Sequence, residues 1–98
     1  MTTQEIISAA LSATGVTREQ LFSRQRTREV SDCRKHVAHL LYRNTGATLE
    51  GVAKALGTSV NAACWQVHQA ASLYQTYPNF RRQHDAIVET LLDKKAAA

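Results

Sequence analysis

Three arginines at alternate positions form the strongest electrostatic feature of the sequence. Arg24, Arg26 and Arg28 stand with Gln25 in the stretch Ser23-Arg-Gln-Arg-Thr-Arg28, here called the basic loop, which has no apolar residue to hold it against a core. Nothing there offsets the entropy lost when long side chains are ordered, so we expect an exposed loop. Its guanidinium groups suit contacts to phosphates and entry into the minor groove of DNA, where the negative potential favours arginine.

A second group of polar side chains lies further along the chain, around the start of a predicted helix. Hydroxyl and amide groups bond base edges in the major groove: asparagine bonds adenine at N6 and N7 together, and an alanine methyl can meet that of thymine. The candidates are Thr58, Ser59, Asn61, Ala62, Gln66 and Gln69. One large aromatic residue, Trp65, stands in their midst.

The stretch from Thr48 to Tyr77 predicts the element that positions this second group. Gly57 can adopt the positive φ that ends a helix, and Ser59 is a good N-cap for the next one. We therefore predict a short helix from Leu49 to Leu56 and a long one from about Val60 to Tyr77. Two helices joined by a short turn containing glycine form a helix-turn-helix, whose second helix enters the major groove.

The second helix of this motif should face the core with one stripe. Small and apolar residues recur there at spacings of three and four, the pattern of a buried helical face. They are Val60, Ala63, Cys64, Val67, Ala71 and Tyr74. Trp65 lies outside the stripe, so it is either covered by a neighbouring helix or exposed as a contact for DNA or protein.

The chain ahead of the motif predicts three more helices. One covers residues 3–14, and a short one carries Leu21 and Phe22, which should both enter the core. After the basic loop, Thr27 is a competent N-cap for a long helix over residues 28–45.

After the motif, Pro78 should end the long helix, and Asn79 should cap a last helix from Phe80 to about Lys94. Lys94 and Lys95 would complement the dipole of that helix. We expect an all-α fold, a compact bundle of five to six helices in a single domain. Its segments are residues 1–15 (N-terminal helix), 16–47 (short helix, basic loop and long helix), 48–77 (helix-turn-helix) and 78–98 (C-terminal helix).

The overall charge agrees with a polyanionic partner. The net charge is +4 among 98 residues, and six of the twelve basic residues lie between positions 18 and 35. Cys33 and Cys64 are isolated, and no signal peptide or membrane-spanning run is present, which favours a cytoplasmic protein without a membrane partner.

Catalytic and metal-binding patterns are not found in the sequence. There is no glycine-rich phosphate loop, no paired carboxylates and no nucleophile with a base at a known spacing, so we expect no enzyme and no cofactor. Cys33, His36 and His39 share a helical face, but a fourth zinc ligand at a recognisable spacing is missing. His68 and His84 are isolated and should be surface or satisfied core residues.

From Val16 to about Leu92 the chain resembles the DNA-binding domain at the C-terminus of DnaA, the bacterial chromosomal replication initiator. The resemblance rests on Val16-Thr-Arg-Glu-Gln-Leu21, Ser23-Arg-Gln-Arg-Thr-Arg-Glu-Val30, Leu49-Glu-Gly-Val-Ala-Lys-Ala-Leu-Gly57 and the overall spacing, which needs no gap. It implies that Arg26 reaches base edges in the minor groove while Arg24 and Arg28 support it on phosphates. By the same resemblance, further phosphate contacts are Thr48, Arg34 and Lys35.

The resemblance fails at the head of the second motif helix. There the family carries Gly-Arg-Asp-His-Ser/Thr-Thr-Val, whereas this chain has Thr58-Ser-Val-Asn-Ala-Ala-Cys64. We infer that the binding site of the initiator is read differently or not at all. The nucleotide-hydrolysing domain of the family is also absent from this sequence, so no ATP-driven activity is implied.

Two functions follow from these residues. The first is a double-stranded DNA-binding protein, bacterial or phage-encoded and associated with the nucleoid, that regulates replication or transcription or serves a phage or plasmid as an accessory factor. The alternative is a degenerate DnaA-like domain that has lost DNA reading and uses Trp65 to contact a protein, with replication proteins as the expected partners.

Overall fold

Six helices make up the part of the chain that the computed structural model describes, which is residues 2–97 for the backbone and residues 2–93 for the side chains. No strand occurs among those residues, so the predicted all-α bundle is confirmed. The helices are α1 (Thr3–Thr14), α2 (Arg18–Leu21), α3 (Arg28–Asn44), α4 (Leu49–Leu56), α5 (Val60–Thr76) and α6 (Pro78–Ala97). None of the described helices is both long and apolar enough to cross a membrane.

The two helices of the predicted motif are present and joined by a tight turn. The Thr48 hydroxyl caps α4 by accepting a hydrogen bond from the Gly51 N–H at 3.1 Å. The Ser59 hydroxyl does the same for α5 with the Ala62 N–H, also at 3.1 Å. Between them, Gly57 has a φ of 67°, which a residue with a Cβ rarely adopts. Local chemistry therefore sets the bounds of this motif.

The start of α6 differs from the prediction. The helix begins at Pro78, so the predicted cap at Asn79 and the start at Phe80 are wrong. Proline suits the first position of a helix because its φ is already helical and the N–H that it lacks would have no partner there. The side chains of Lys94 and Lys95, expected to complement the helix dipole, lie outside the described residues.

The core is built around α3, which packs against α1, α2, α4 and α5, while α6 packs against α1 and α5. The largest fully buried side chains of the core include Ile6, Ile7, Leu21, Val30, Val37, Leu40, Leu41, Val52 and Ile87. Phe22, expected in the core beside Leu21, is 46% exposed, so that prediction is wrong. Leu21 is the last residue of α2 and Phe22 caps the helix; since successive residues there point about 100° apart, only Leu21 is directed inward.

The buried seam of α5 is rotated from the predicted stripe. Ala63, Val67 and Ala70 are buried, whereas Val60 is 43% exposed and Ala71 is exposed. At 100° per residue the seam is displaced by roughly 50°. The displacement arises because α5 packs against α6 as well as against α3 and α4. This rotation decides which polar residues of α5 remain on the surface.

Candidate nucleic-acid interface

One arginine of α3 holds the backbone of the basic loop. The Nε of Arg34 donates to the Leu21 carbonyl at 3.0 Å, and Nη1 donates to the Gln25 carbonyl at 2.7 Å. Its Nη2 donates to the carbonyl of Gln20, at 3.2 Å, and to that of Ser23. The guanidinium therefore ties together the end of α2 and the path of the loop.

This geometry gives Arg34 a different role from the phosphate contact that the resemblance implies. Its hydrogen bonds use most of the five N–H donors of a guanidinium, and their acceptors are backbone carbonyls of the same chain. Burial, and then the nearby charge of Arg26, lower the pKa of Arg34. The sequence offers little signal for this role, because the carbonyls lie nine to fourteen residues away.

The other basic side chains of the loop face solvent. Arg24, Gln25 and Arg26 are exposed, and no described carboxylate lies within ion-pair distance of Arg24 or Arg26. The Arg28 side chain is 75% exposed and its Nε is 3.9 Å from Asp32, a weak surface pair. The loop thus combines a backbone held by Arg34 with cationic groups that are available to a ligand.

Lys35 is less available than the loop arginines. Its side chain is only 12% exposed, and its Nζ lies 3.8 Å from the Asp32 carboxylate. The same ammonium lies 5.2 Å from the ring centroid of Trp65, a cation–π contact. Burial raises the pKa of Asp32, and the charges of Lys35 and Arg28 act against that rise. Lys35 therefore joins α3 to α5 at the edge of the candidate surface.

At the head of the motif the predicted contact residues divide into two groups. Ser59, Asn61 and Thr48 are exposed, although the hydroxyl oxygens of Ser59 and Thr48 already accept capping bonds. Thr58 and Ala62 are half-buried. Asn61 is therefore the predicted base-reading residue with the most freedom to meet a ligand.

Further along α5, the rotation of the helix changes the predicted reading face. Gln66 and Gln69 are half-buried, and the Gln66 Oε1 is enclosed without a hydrogen-bond partner among the described residues. Trp65 is 55% exposed, so it is not the covered packing residue that the sequence allowed. The outward side of α5 carries His68 and Ser72 beside Trp65, and sequence analysis missed both. Their spacing from Asn61 is helical and becomes informative once the buried seam is known.

An open groove of about 750 Å³ lies beside the basic loop, where the start of α3, the end of α5 and the start of α6 meet. Arg26, Arg28 and Lys35 line it together with Tyr77, whose ring centroid is 5.8 Å from the Arg28 guanidinium. Ser31, Leu73, Asn79, Phe80, Gln83, Glu29 and Asp32 complete the lining. This groove could not be predicted from the sequence because it is assembled from three helices.

A pair of buried histidines joins α3 to α6 next to the groove. His36 and His84 are 0% and 6% exposed, and their Nδ1 atoms lie 2.9 Å apart. The Nε2 of His36 lies 2.9 Å from Gln83 Oε1, and its ring stacks on Phe80 with centroids 4.0 Å apart. Since an amide oxygen only accepts, neutral His36 carries its proton on Nε2 and accepts at Nδ1 from His84.

This arrangement holds both histidines in the neutral form. Burial is the main cause that lowers the pKa of each to about 4, and neighbouring histidines act in the same direction. His39, whose Nδ1 is buried without a partner among the described residues, also has a lowered pKa through burial. The sulfur of Cys33, which shares the helical face of His36 and His39, accepts a hydrogen bond from the Thr14 hydroxyl at 3.5 Å.

The structure thus brings the basic loop, Lys35, Trp65 and the exposed side of α5 onto neighbouring surfaces, while Arg34, Gln66 and Gln69 contribute mainly to packing. Comparison with protein-family models and with curated proteins gives no match. The relation to the DnaA domain stays a prediction that rests on the residues quoted for it.

Proposed function

We propose that this chain binds double-stranded DNA, as a divergent relative of the DnaA C-terminal domain, with the basic loop on the backbone and minor groove and α5 in the major groove. The observation that carries the proposal is the loop itself. Arg34 donates to two carbonyls of the loop, those of Ser23 and Gln25, and to two at the end of α2, while Arg24 and Arg26 are exposed and unpaired among the described residues.

A loop held in this way suits phosphate recognition for two reasons. Arginines without internal ion pairs release counterions from DNA when they bind, and this release supplies much of the affinity. A loop that is already ordered loses less conformational entropy on binding than a flexible one. In this proposal Arg26 reaches the minor groove, and Arg24 and Arg28 contact phosphates on either side.

The exposed head of α5 supplies the sequence preference in the same proposal. Asn61 is exposed on the first turn of α5, where the second helix of such a motif meets base edges. Ser59 and the Ala62 methyl lie beside it. A protein of this kind would act at the nucleoid as a regulator of replication or transcription, or as a phage or plasmid accessory factor.

Arg26→Ala should weaken duplex binding by about 1 to 3 kcal/mol. The variant loses a hydrogen bond to a base edge, and it also loses the attraction between the guanidinium and the negative phosphate backbone. Fluorescence anisotropy with a labelled duplex at two salt concentrations measures the loss. The slope of log affinity against log salt concentration should correspond to about one fewer counterion released. Arg82→Ala, which removes an exposed arginine of α6, is the matched control. Equal losses for both variants would show that only net charge matters.

Asn61→Ala should relax sequence preference more than it lowers total affinity, since asparagine reads a base edge whereas the loop holds the backbone. The measurement compares a duplex selected from a random library with an unselected duplex, and the ratio of their affinities should fall by about 1 to 3 kcal/mol. Asn44→Ala, at the exposed end of α3, is the control. An unchanged ratio would place base reading elsewhere.

A second candidate is the protein-interaction module, which the exposure of Trp65 favours. A tryptophan that is 55% exposed on a helix is a suitable anchor for a partner protein such as a replication factor. Duplex titration at low salt separates the two candidates. Binding that falls steeply with salt supports the first, and absence of binding leaves the second as the better one.

A further inference from the structure

The edge between α3 and α5 alternates cations and half-exposed aromatic rings. At one end the Lys35 ammonium lies over Trp65, and at the other the Arg28 guanidinium lies over Tyr77. Trp65 is 55% exposed and Tyr77 is 50% exposed, so each ring keeps an open surface beside its cation. The groove that Arg26, Arg28 and Lys35 line runs between the two ends.

This edge extends well beyond the part of α5 that a duplex would meet. Tyr77 follows Asn61 by sixteen residues, which corresponds to about 24 Å along a helix. A helix-turn-helix reads DNA with the first residues of its second helix, so Tyr77 and the α6 side of the groove have no task in duplex reading, whereas Arg26 and Arg28 line the same groove from the loop and α3. Their composition therefore calls for a separate explanation.

The positive charge of the groove is partly neutralised near Asp32 and, within the described part of the chain, is not paired at the rim beside the basic loop. Of its lining residues, Arg26, Arg28 and Lys35 are cationic, and Glu29 and Asp32 are acidic. Asp32 lies between Arg28, at 3.9 Å, and Lys35, at 3.8 Å, which offsets its negative charge. Arg26 has no such partner among the described residues, so the rim next to the basic loop remains cationic.

Exposed aromatic rings beside cations suit single-stranded nucleic acid better than a duplex. In a duplex both faces of each base are already stacked on neighbouring bases, whereas the bases of a single strand are free to stack on protein rings. Trp65 and Tyr77 are twelve residues apart, about 18 Å along α5. A strand several nucleotides long can therefore reach both rings.

We propose that the α3–α5 edge binds a single strand of DNA, with unpaired bases stacked on Trp65 and Tyr77 and phosphates held by Arg26 and Arg28, while Lys35 supports the Trp65 ring from α3. The amides of Asn79 and Gln83 line the same groove and can donate to base edges. This activity goes beyond duplex recognition and does not depend on it. Because the two proposed sites share Arg26 and Arg28, a duplex and a single strand should compete for the chain.

Trp65 is the only tryptophan in the sequence, so its fluorescence reports directly on stacking. A twelve-nucleotide oligothymidylate should quench the emission of Trp65, and labelled oligothymidylate should bind in an anisotropy titration. An abasic strand of the same length carries the same phosphates without bases. It should bind at least about fivefold more weakly and leave the emission unchanged, because base stacking on an aromatic residue contributes about 1 to 3 kcal/mol.

Two variants separate stacking from structure. Tyr77→Ala should weaken oligothymidylate binding by about tenfold and Tyr77→Phe should restore it, since a phenyl ring stacks as well as a phenol. Both should leave duplex affinity within about twofold. Tyr42→Ala, which removes an exposed tyrosine at the other end of α3, is the matched control for loss of an aromatic side chain. Circular dichroism checks that each variant is folded.

The outcomes are distinct for the two proposals. Equal binding of the abasic strand, or equal binding by Tyr77→Ala, overturns the stacking proposal, as does failure of oligothymidylate to bind a chain that binds duplex. Binding of oligothymidylate without any binding of duplex supports the single-strand proposal and overturns the duplex proposal. Absence of both overturns both.

Discussion

Acidification from pH 7 to pH 4.5 is expected to lower the free energy of unfolding by at least about 3 kcal/mol through His36 and His84. Burial lowers the pKa of each to about 4 in the folded chain, from an ordinary value of 6.5. The unfolded state therefore binds more protons than the folded state between these values. Stability is full above pH 6.5 and is lost as the pH falls towards 4.

The geometry of the histidine pair explains why acid acts on it. One added proton can go to the Nε2 of His84 without breaking the bond between the two Nδ1 atoms, which lie 2.9 Å apart. A second proton places N–H groups on both sides of that contact and two positive charges in the core. His39 adds to the acid sensitivity, whereas Asp32 opposes it because burial raises its pKa. The offset from Asp32 is smaller because that carboxylate is partly exposed and paired.

Urea unfolding followed by circular dichroism at pH 7, 5.5 and 4.5 measures the effect. His84→Gln keeps a polar partner for His36 and removes one titrating group, so the loss of stability on acidification should fall by about half. His68→Gln, which replaces an exposed histidine of α5, should leave the loss unchanged. A parent chain whose free energy of unfolding is the same at pH 7 and pH 4.5 would contradict the buried neutral pair.

Replacement of Arg34 is expected to have the second large effect. Arg34→Ala should lower the free energy of unfolding by about 2 to 4 kcal/mol, because it removes four charged hydrogen bonds to backbone carbonyls and leaves the part-buried carbonyl of Leu21 without its partner. It should also weaken duplex binding, because the loop then has to be ordered when DNA arrives.

Arg34→Lys distinguishes support of the loop from contact with phosphate. Lysine keeps the charge, but its single ammonium cannot reach the carbonyls that the planar fork of arginine spans. If Arg34 supports the loop, the lysine variant should behave nearly like the alanine variant, and trypsin should cleave the chain faster at Arg24 and Arg26. If Arg34 contacts phosphate, lysine should retain most of the affinity and the rate of cleavage should not change. Arg43→Ala, an exposed position on α3, controls for charge.

Local chemistry in the sequence determined the helices and their ends. Thr48, Ser59 and Gly57 act within three or four residues of their own positions, so their hydrogen bonds and backbone preferences can be predicted without knowledge of the fold. The same holds for the basic loop, whose lack of apolar residues predicts exposure. Pro78 follows the end of α5 as predicted, but the local rule missed that the same residue begins α6.

Only the tertiary structure decided how these elements share their surfaces. His36 and His84 are 48 residues apart in the sequence, and the Arg34 guanidinium donates hydrogen bonds to carbonyls up to fourteen residues away. The rotation of α5 from its predicted orientation exposes Trp65 and encloses Gln66. It depends on the packing of α6 against α5 and on the contacts of α3 with both of these helices. A periodic pattern states that a helix has a buried side, but its neighbours decide the angle of that side. The sequence alone determined which elements form, and the packing of α3, α5 and α6 determined which side chains are available for binding.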